Sequence, residues 1–237
     1  MLGVSQGTVR NDLGALANGG QVSRVHGGAV PSGDQEPASP SFTARARKND
    51  AAKLAIARWA AEMVEDGDSI LLDASSTVFY MARFLKDRRK LRVITNGIEV
   101  ARQLAANSTN TVILVGGVVN SDGSSITGSL GEEFFHGLHV QKAFVSGSGF
   151  TLEAGLTEVN IYEGQLKSRA IASADQVIAL VDSSKFGKVD LTPFARTDQI
   201  NCLFVDHGIS PEWLEKLSAS LLCFNVCDPE EIIHLES

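Results

Sequence analysis

The sequence has little of what commits a chain to metal, redox or membrane chemistry. It carries only three cysteines, Cys202, Cys223 and Cys227, all late in the chain. Cys223 and Cys227 lie in or beside one apolar run with no second pair to match. That spacing argues against zinc and for buried, reduced thiols. The five histidines (His26, His136, His139, His207 and His234) never form an HExxH pattern. His136 and His139 are three apart, but no third ligand accompanies them, so no metal is expected. There is no GxxxxGK[ST] phosphate loop. Gly147-Ser148-Gly149 opens like a dinucleotide fingerprint, yet position 152 is Leu and a further loop follows, so no cofactor is expected. No apolar run approaches membrane-spanning length, and no basic-then-apolar leader opens the chain. The expectation is a cytoplasmic protein with no membrane partner.

What is present is a soluble composition with segregated charge. The 237 residues are 43% hydrophobic and 21% charged, enough for one large or two modest domains. Residues 1–58 carry 7 Lys and Arg against 4 Asp and Glu, whereas residues 59–237 carry 14 against 24. An acidic body repels DNA, so any nucleic-acid contact is confined to the N-terminal part.

That part holds the most informative segment. Ser5 can N-cap a helix on which Val9, Leu13 and Leu16 recur as one apolar face. Thr8, Arg10 and Asn11 lie off that stripe, and such side chains suit phosphate and base-edge contacts. From spacing alone, an ordinary surface helix ending at Gly19-Gly20 fits equally well. Gln21–Val25 then alternates in strand fashion, with Arg24 and His26 giving a basic tip. The run VSQGTVRNDL…VSRVHGGAV resembles the winged helix of the DeoR family, sugar-responsive bacterial transcriptional repressors. A second Arg commonly follows Arg10 in that family, and Asn11 stands there instead. The chain begins only a few residues before this helix, so the expectation is that the start of the DNA-binding domain is missing. Operator DNA binding would then need the complete domain.

A stretch rich in Pro, Gly, Ser and acidic residues follows and reads as a linker. The expected organisation is a partial winged helix-turn-helix over 1–30, a linker over 31–41 and a second domain over 42–237. That domain opens with a helix predicted from about Phe42 to Val64. Its first half is basic (Arg45, Arg47, Lys48, Lys53) and could reach DNA phosphates, but a solvated face or a cover for an acidic patch of the body is the preferred reading.

From residue 68 onward, short apolar runs alternate with helical patterns. Strands are expected at Ser69–Leu72, Arg92–Ile94, Thr111–Val115, Ala143–Ser146, Gln176–Val181, Asn201–Val205 and Leu221–Val226. Helices are expected at Thr77–Leu85, Gly97–Ala106, Asn160–Ala174 and Pro211–Leu217. Buried strands joined by helices imply right-handed crossovers, hence a three-layer α/β domain with a mostly parallel sheet.

Ligands of such sheets bind beyond the carboxyl ends of the strands. The loops there are small or hydroxyl-bearing, and the candidate effector-binding residues are Asp73, Ser75, Ser76, Thr77, Thr95, Asn96, Gly116, Gly117, Gly147, Gly149 and Lys185. Ser75-Ser76-Thr77 is the best anion cradle, at a strand-to-helix turn. Simple N-capping with no ligand is the plainer reading of a Ser-Ser-Thr run, and a lone loop lysine such as Lys185 is most often just solvated. Together the loops suit a phosphorylated polyol.

The resemblance to the DeoR family continues here. DGDSILLDASST, VITNG, VILVGG, AFVSGSGF, GLTE and VDSSKFG follow in family order. The resemblance implies an effector domain with the ribose-5-phosphate isomerase-like fold. By position, Ser75, Ser76 and Thr77 would hold phosphate, and Asp73, Asn96 and Lys185 would contact the sugar. It also implies a homo-oligomer. Ser75 replaces a common Gly, which narrows the phosphate loop.

Two functions remain open: a repressor of carbohydrate genes gated by a phosphorylated sugar, with no catalytic residues, and a sugar-phosphate isomerase. The latter needs a carboxylate to move a proton, and Asp73, Glu158, Glu163 and Asp182 are available. The plainer reading of Glu163 is a surface ion pair with Lys167 at i+4. The winged-helix segment favours the repressor, because an isomerase does not need it.

Overall fold

The computed structural model describes residues 6–18, 22–25, 28–31 and 41–229. The chain divides into two compact units, Met1–Ser41 and Phe42–Ser237.

In the first unit, helix α1 (Gln6–Asn18) precedes an antiparallel hairpin of β1 (Val22–Val25) and β2 (Gly28–Pro31). Pro31, assigned from sequence to the linker, closes β2.

The second unit opens with α2 (Phe42–Arg47) and α3 (Asp50–Ala61). The single helix predicted for Phe42–Val64 is therefore broken, at Asn49, which adopts a left-handed conformation (φ 55°). Lys53 is not on a solvated face; it is 4% exposed, and its ammonium donates to the Arg45 carbonyl. Arg45 pairs with Asp122 at 3.4 Å, so part of the basic end does cover a carboxylate.

Then follow β3 (Ser69–Leu72), α4 (Ser76–Phe84), β4 (Arg92–Thr95), α5 (Ile98–Leu104) and β5 (Thr111–Leu114). A short hairpin, β6 (Val118–Val119) and β7 (Ile126–Thr127), leads into α6 (Ser129–Phe134) and β8 (Val140–Val145). Next come β9 (Gly149–Thr151), β10 (Gly155–Glu158), α7 (Ile161–Ile171), β11 (Ala174–Leu180) and β12 (Thr192–Ala195). The described chain closes with β13 (Cys202–Asp206), α8 (Pro211–Ala219) and β14 (Phe224–Cys227).

Seven strands form one parallel sheet in the order β14-β13-β11-β8-β3-β4-β5. Its faces are covered by two apolar clusters. One packs α3 and α4 on Ile70, Leu72, Phe144 and Phe204; the other packs α7 on Leu71, Ala143, Val145 and Ala179. This is the expected three-layer architecture. Three further pieces were not predicted: the β6–β7 hairpin, helix α6, and a three-stranded antiparallel sheet, β12-β10-β9. Cys202 and Cys227 are buried free thiols as expected, but Cys223 is exposed.

Chain order places β3, β4 and β5 to one side and β8, β11, β13 and β14 to the other. The order reverses between β3 and β8, and that is where an open parallel sheet leaves a crevice. At this point Ser75 caps α4, its hydroxyl accepting the Val78 N–H at 3.2 Å. Ser75→Ala is expected to cost the ligand-free protein about 1 kcal/mol, measured by urea unfolding; no loss would mean that the cap is dispensable.

Candidate functional site

The site forms where the loops after β3 and β8 meet. Asp73, 1% exposed, binds them together. Its Oδ1 accepts the Ser75 N–H at 2.9 Å, and its Oδ2 accepts the Ser146 N–H at 2.9 Å. The carboxylate thus shapes the first turn of α4 and anchors the opposite loop. Ser76 and Thr77 lie in that first turn and are buried. Thr77 Oγ1 has no hydrogen-bond partner among the described residues.

Sequence reasoning missed the cation at the centre. Lys167, from α7, is 2% exposed. It lies 2.8 Å from Glu158 and 3.2 Å from Asp73, donates to the Ser146 carbonyl at 2.8 Å and faces the Phe194 ring. Burial alone would lower its pKa, but Asp73, Glu158 and Glu163 outweigh burial and hold the ammonium well above its ordinary value. The expected surface pair of Glu163 with Lys167 does not form. Glu163 instead accepts from Asn120 and Ser125, each at 2.7 Å. The signal was there: Lys167 lies beside Leu166 and one turn before Ala170 and Ile171, on the core face of α7.

Lys185 comes from the turn after β11. Its ammonium donates to Ser146 Oγ at 2.9 Å and lies 3.6 Å from Asp182, so it is not simply solvated. Burial lowers its pKa, and Asp182 opposes that shift. Asp182 itself would be raised by burial; Lys185, then Ser184 and Asn49, bring it below the usual carboxylate range. Asp73, Ser146, Lys167 and Lys185 therefore form one connected polar cluster.

Thr95 ends β4, Asn96 follows it, and both are buried, but each is engaged by the protein itself. Thr95 Oγ1 accepts the Gly97 N–H at 3.0 Å, and the Asn96 amide donates to the Ile126 carbonyl at 3.1 Å. Gly116 and Gly117 follow β5. Gly147 and Gly149 flank Ser148 and serve close backbone approach: a Cβ would lie 2.7 Å from Thr157 O at the first and 2.5 Å from Lys188 O at the second. A void of about 10 Å³ touches Asp73, Thr95, Asn96 and Lys167, about one water in size. A larger groove of about 270 Å³ runs past Glu132, Gln165, Arg169 and Thr192, apart from this cluster.

In the first unit, Thr8, Arg10 and Asn11 are exposed on α1, together with Val9 and Leu16 of the apolar stripe. Arg24 lies in β1. Ser5 and His26 fall outside the described residues.

The profile of the DeoR C terminal sensor domain matches residues 48–207, and that of the DeoR-like helix-turn-helix domain matches residues 1–33. The chain belongs to the DeoR family. This DeoR-family regulator is 37% identical over 216 residues to the HTH-type transcriptional regulator GolR of Listeria innocua, covering 91% of this chain and 85% of that protein. It is 32% identical over 219 residues to the lactose phosphotransferase system repressor of Lactococcus lactis, covering 92% and 86%. Family membership makes it a DNA-binding transcriptional regulator, and the isomerase alternative gives way. Among solved structures, ribose 5-phosphate isomerase A from Neisseria gonorrhoeae superposes with a TM-score of 0.40 at 14% identity, over 56% of this chain and about half, 52%, of that one. No helix among the described residues is long and apolar enough to cross a membrane.

Proposed function

We propose that this regulator represses carbohydrate-metabolism genes in the cytoplasm and is controlled by a phosphorylated sugar held at the β3–β8 crevice. The phosphate sits at the first turn of α4, against Ser75, Ser76 and Thr77. Lys185 and Asn96 contact the sugar, while Asp73 holds the loops that bind it. The observation that carries this reading is Thr77 Oγ1, fully buried at a helix N-terminus and without a partner among the described residues. Buried hydroxyls are nearly always hydrogen-bonded, and a phosphate oxygen at the N-terminus would supply the missing partner and gain from the helix dipole. The Lactococcus lactis relative, a lactose phosphotransferase system repressor, supports the carbohydrate assignment.

Ser5, Thr8, Arg10, Asn11, Arg24 and His26 are the proposed DNA contacts. A homo-oligomer follows from the two-fold symmetry of paired DNA half-sites. The exposed Ile113 and Leu114 on edge strand β5, followed by Val118 and Val119, suit such self-association.

A thermal-shift screen against phosphorylated and matched unphosphorylated sugars, with product analysis, tests the ligand class. A phosphate-dependent rise in Tm without turnover is expected. Equal shifts with both sugar forms would remove the phosphate from the assignment, and turnover would restore the isomerase.

A further inference from the structure

Helix α2 is the first element of the second unit, and none of its residues is buried. Besides the Lys53 ammonium of α3 on the Arg45 carbonyl, it is held by a few contacts, mostly polar, from three elements that border the crevice. The first is the β6–β7 hairpin, where Asp122 accepts the Phe42 N–H at 3.2 Å and pairs with Arg45. The second is α4, whose Tyr80 hydroxyl donates to the Ala46 carbonyl at 3.1 Å and whose Phe79 meets Phe42 edge-on. The third is the turn that carries Lys185, reached through Asn49.

Asn49 is the unusual member. A left-handed backbone is uncommon outside glycine, and Asn is among the few side chains that tolerate it. The Asn49 side chain does not cap α3. Its amide instead donates to Asp182 Oδ1 and to Ser184 Oγ, each at 3.0 Å. Asp182 therefore faces two ways, toward Asn49 through one oxygen and toward Lys185 through the other. Behind it lies buried Lys53, whose ammonium is pushed down to about 8 by burial and then by Lys185. Half-buried Lys185 lies 3.6 Å from this carboxylate, and an added anion would compete with Asp182 for its ammonium.

We propose that Asn49 and α2 are the relay of this regulator: an anion arriving at Lys185 loosens the hold of Asp182 and Ser184 on Asn49 and so resets α2, the element through which the chain joins the DNA-binding unit. This rests on the proposed effector site and adds how its occupancy is reported. Sites coupled through such an element influence each other reciprocally, so disturbing Asn49 must alter anion affinity although Asn49 is not an anion ligand.

The test uses the full chain with inorganic phosphate as the probe. Asn49→Gly keeps the left-handed backbone without strain and removes both bonds. The expected result is about tenfold faster hydrogen exchange at the α2 amides, with that of the β3 and β8 amides unchanged. Phosphate affinity, read by titration of the thermal shift, should change roughly fivefold or more. Ser184→Ala, which removes one acceptor, should shift both readouts in the same directions by less. Faster exchange with unchanged phosphate affinity would overturn the relay and leave the site intact. Absence of any phosphate binding by the wild type would overturn the site and the relay together.

Discussion

Replacing Lys167 with Met is expected to cost the second unit about 3–5 kcal/mol, the scale of a broken buried ion pair. The substitution leaves Asp73 and Glu158 beside one another without their shared cation and strips the Ser146 carbonyl of its donor. Domains of this kind are stable by only about 5–15 kcal/mol, so the variant should sit near its unfolding threshold. Because the folded ammonium is held above its ordinary value, its contribution is complete below the unfolded lysine pKa. It fades only as pH rises through the folded one. The effect should therefore be undiminished across the neutral range. Urea unfolding of the full chain at several pH values measures it, and a loss below about 1 kcal/mol would mean that the cluster behaves like a surface pair.

Replacing Lys185 with Ala is expected to weaken binding of the phosphorylated sugar by about 1.5–3 kcal/mol, roughly 10- to 100-fold. Stability should change far less than in the Lys167 variant, because Asp182 keeps its bonds from Asn49 and Ser184 and Lys167 still neutralises Asp73. Such a result would separate the two lysines, one holding the site together and the other meeting the ligand. Calorimetry on a sugar identified by the thermal-shift screen provides the measurement. Unchanged affinity would remove Lys185 from the site.

Much of this was legible beforehand. Buried parallel strands are short apolar runs, and Ser69–Leu72, Arg92–Ile94 and Asn201–Val205 read as such, to within a residue at each end, because both their faces meet helices. The capping serine before α4 announced the strand-to-helix turn, and the ordered motifs announced the family. The antiparallel sheet β12-β10-β9 was not legible. Its strands are three or four residues long, and β10 slips register against β12 between Leu156 and Thr157. No period develops over so short a run.

The break between α2 and α3 was hidden for another reason. Nothing in the local sequence around Asn49 forbids a helix; its left-handed backbone goes with bonds to a turn 133 and 135 residues away. Lys167 shows the same division. Helical spacing placed Glu163 and Lys167 one turn apart, which was enough to propose a pair and not enough to say which way the pair faces.

By itself, then, the sequence determined the elements of the sheet, the family and the loops at the carboxyl ends of the strands, because those follow from local periodicity and motif order. Only the tertiary structure decided that Lys167 serves Asp73 and Glu158, that Ser146 links both lysines and that Asn49 reaches the Lys185 turn. A charge chooses its partner by the geometry of the packed elements, and that geometry exists only once the sheet has assembled.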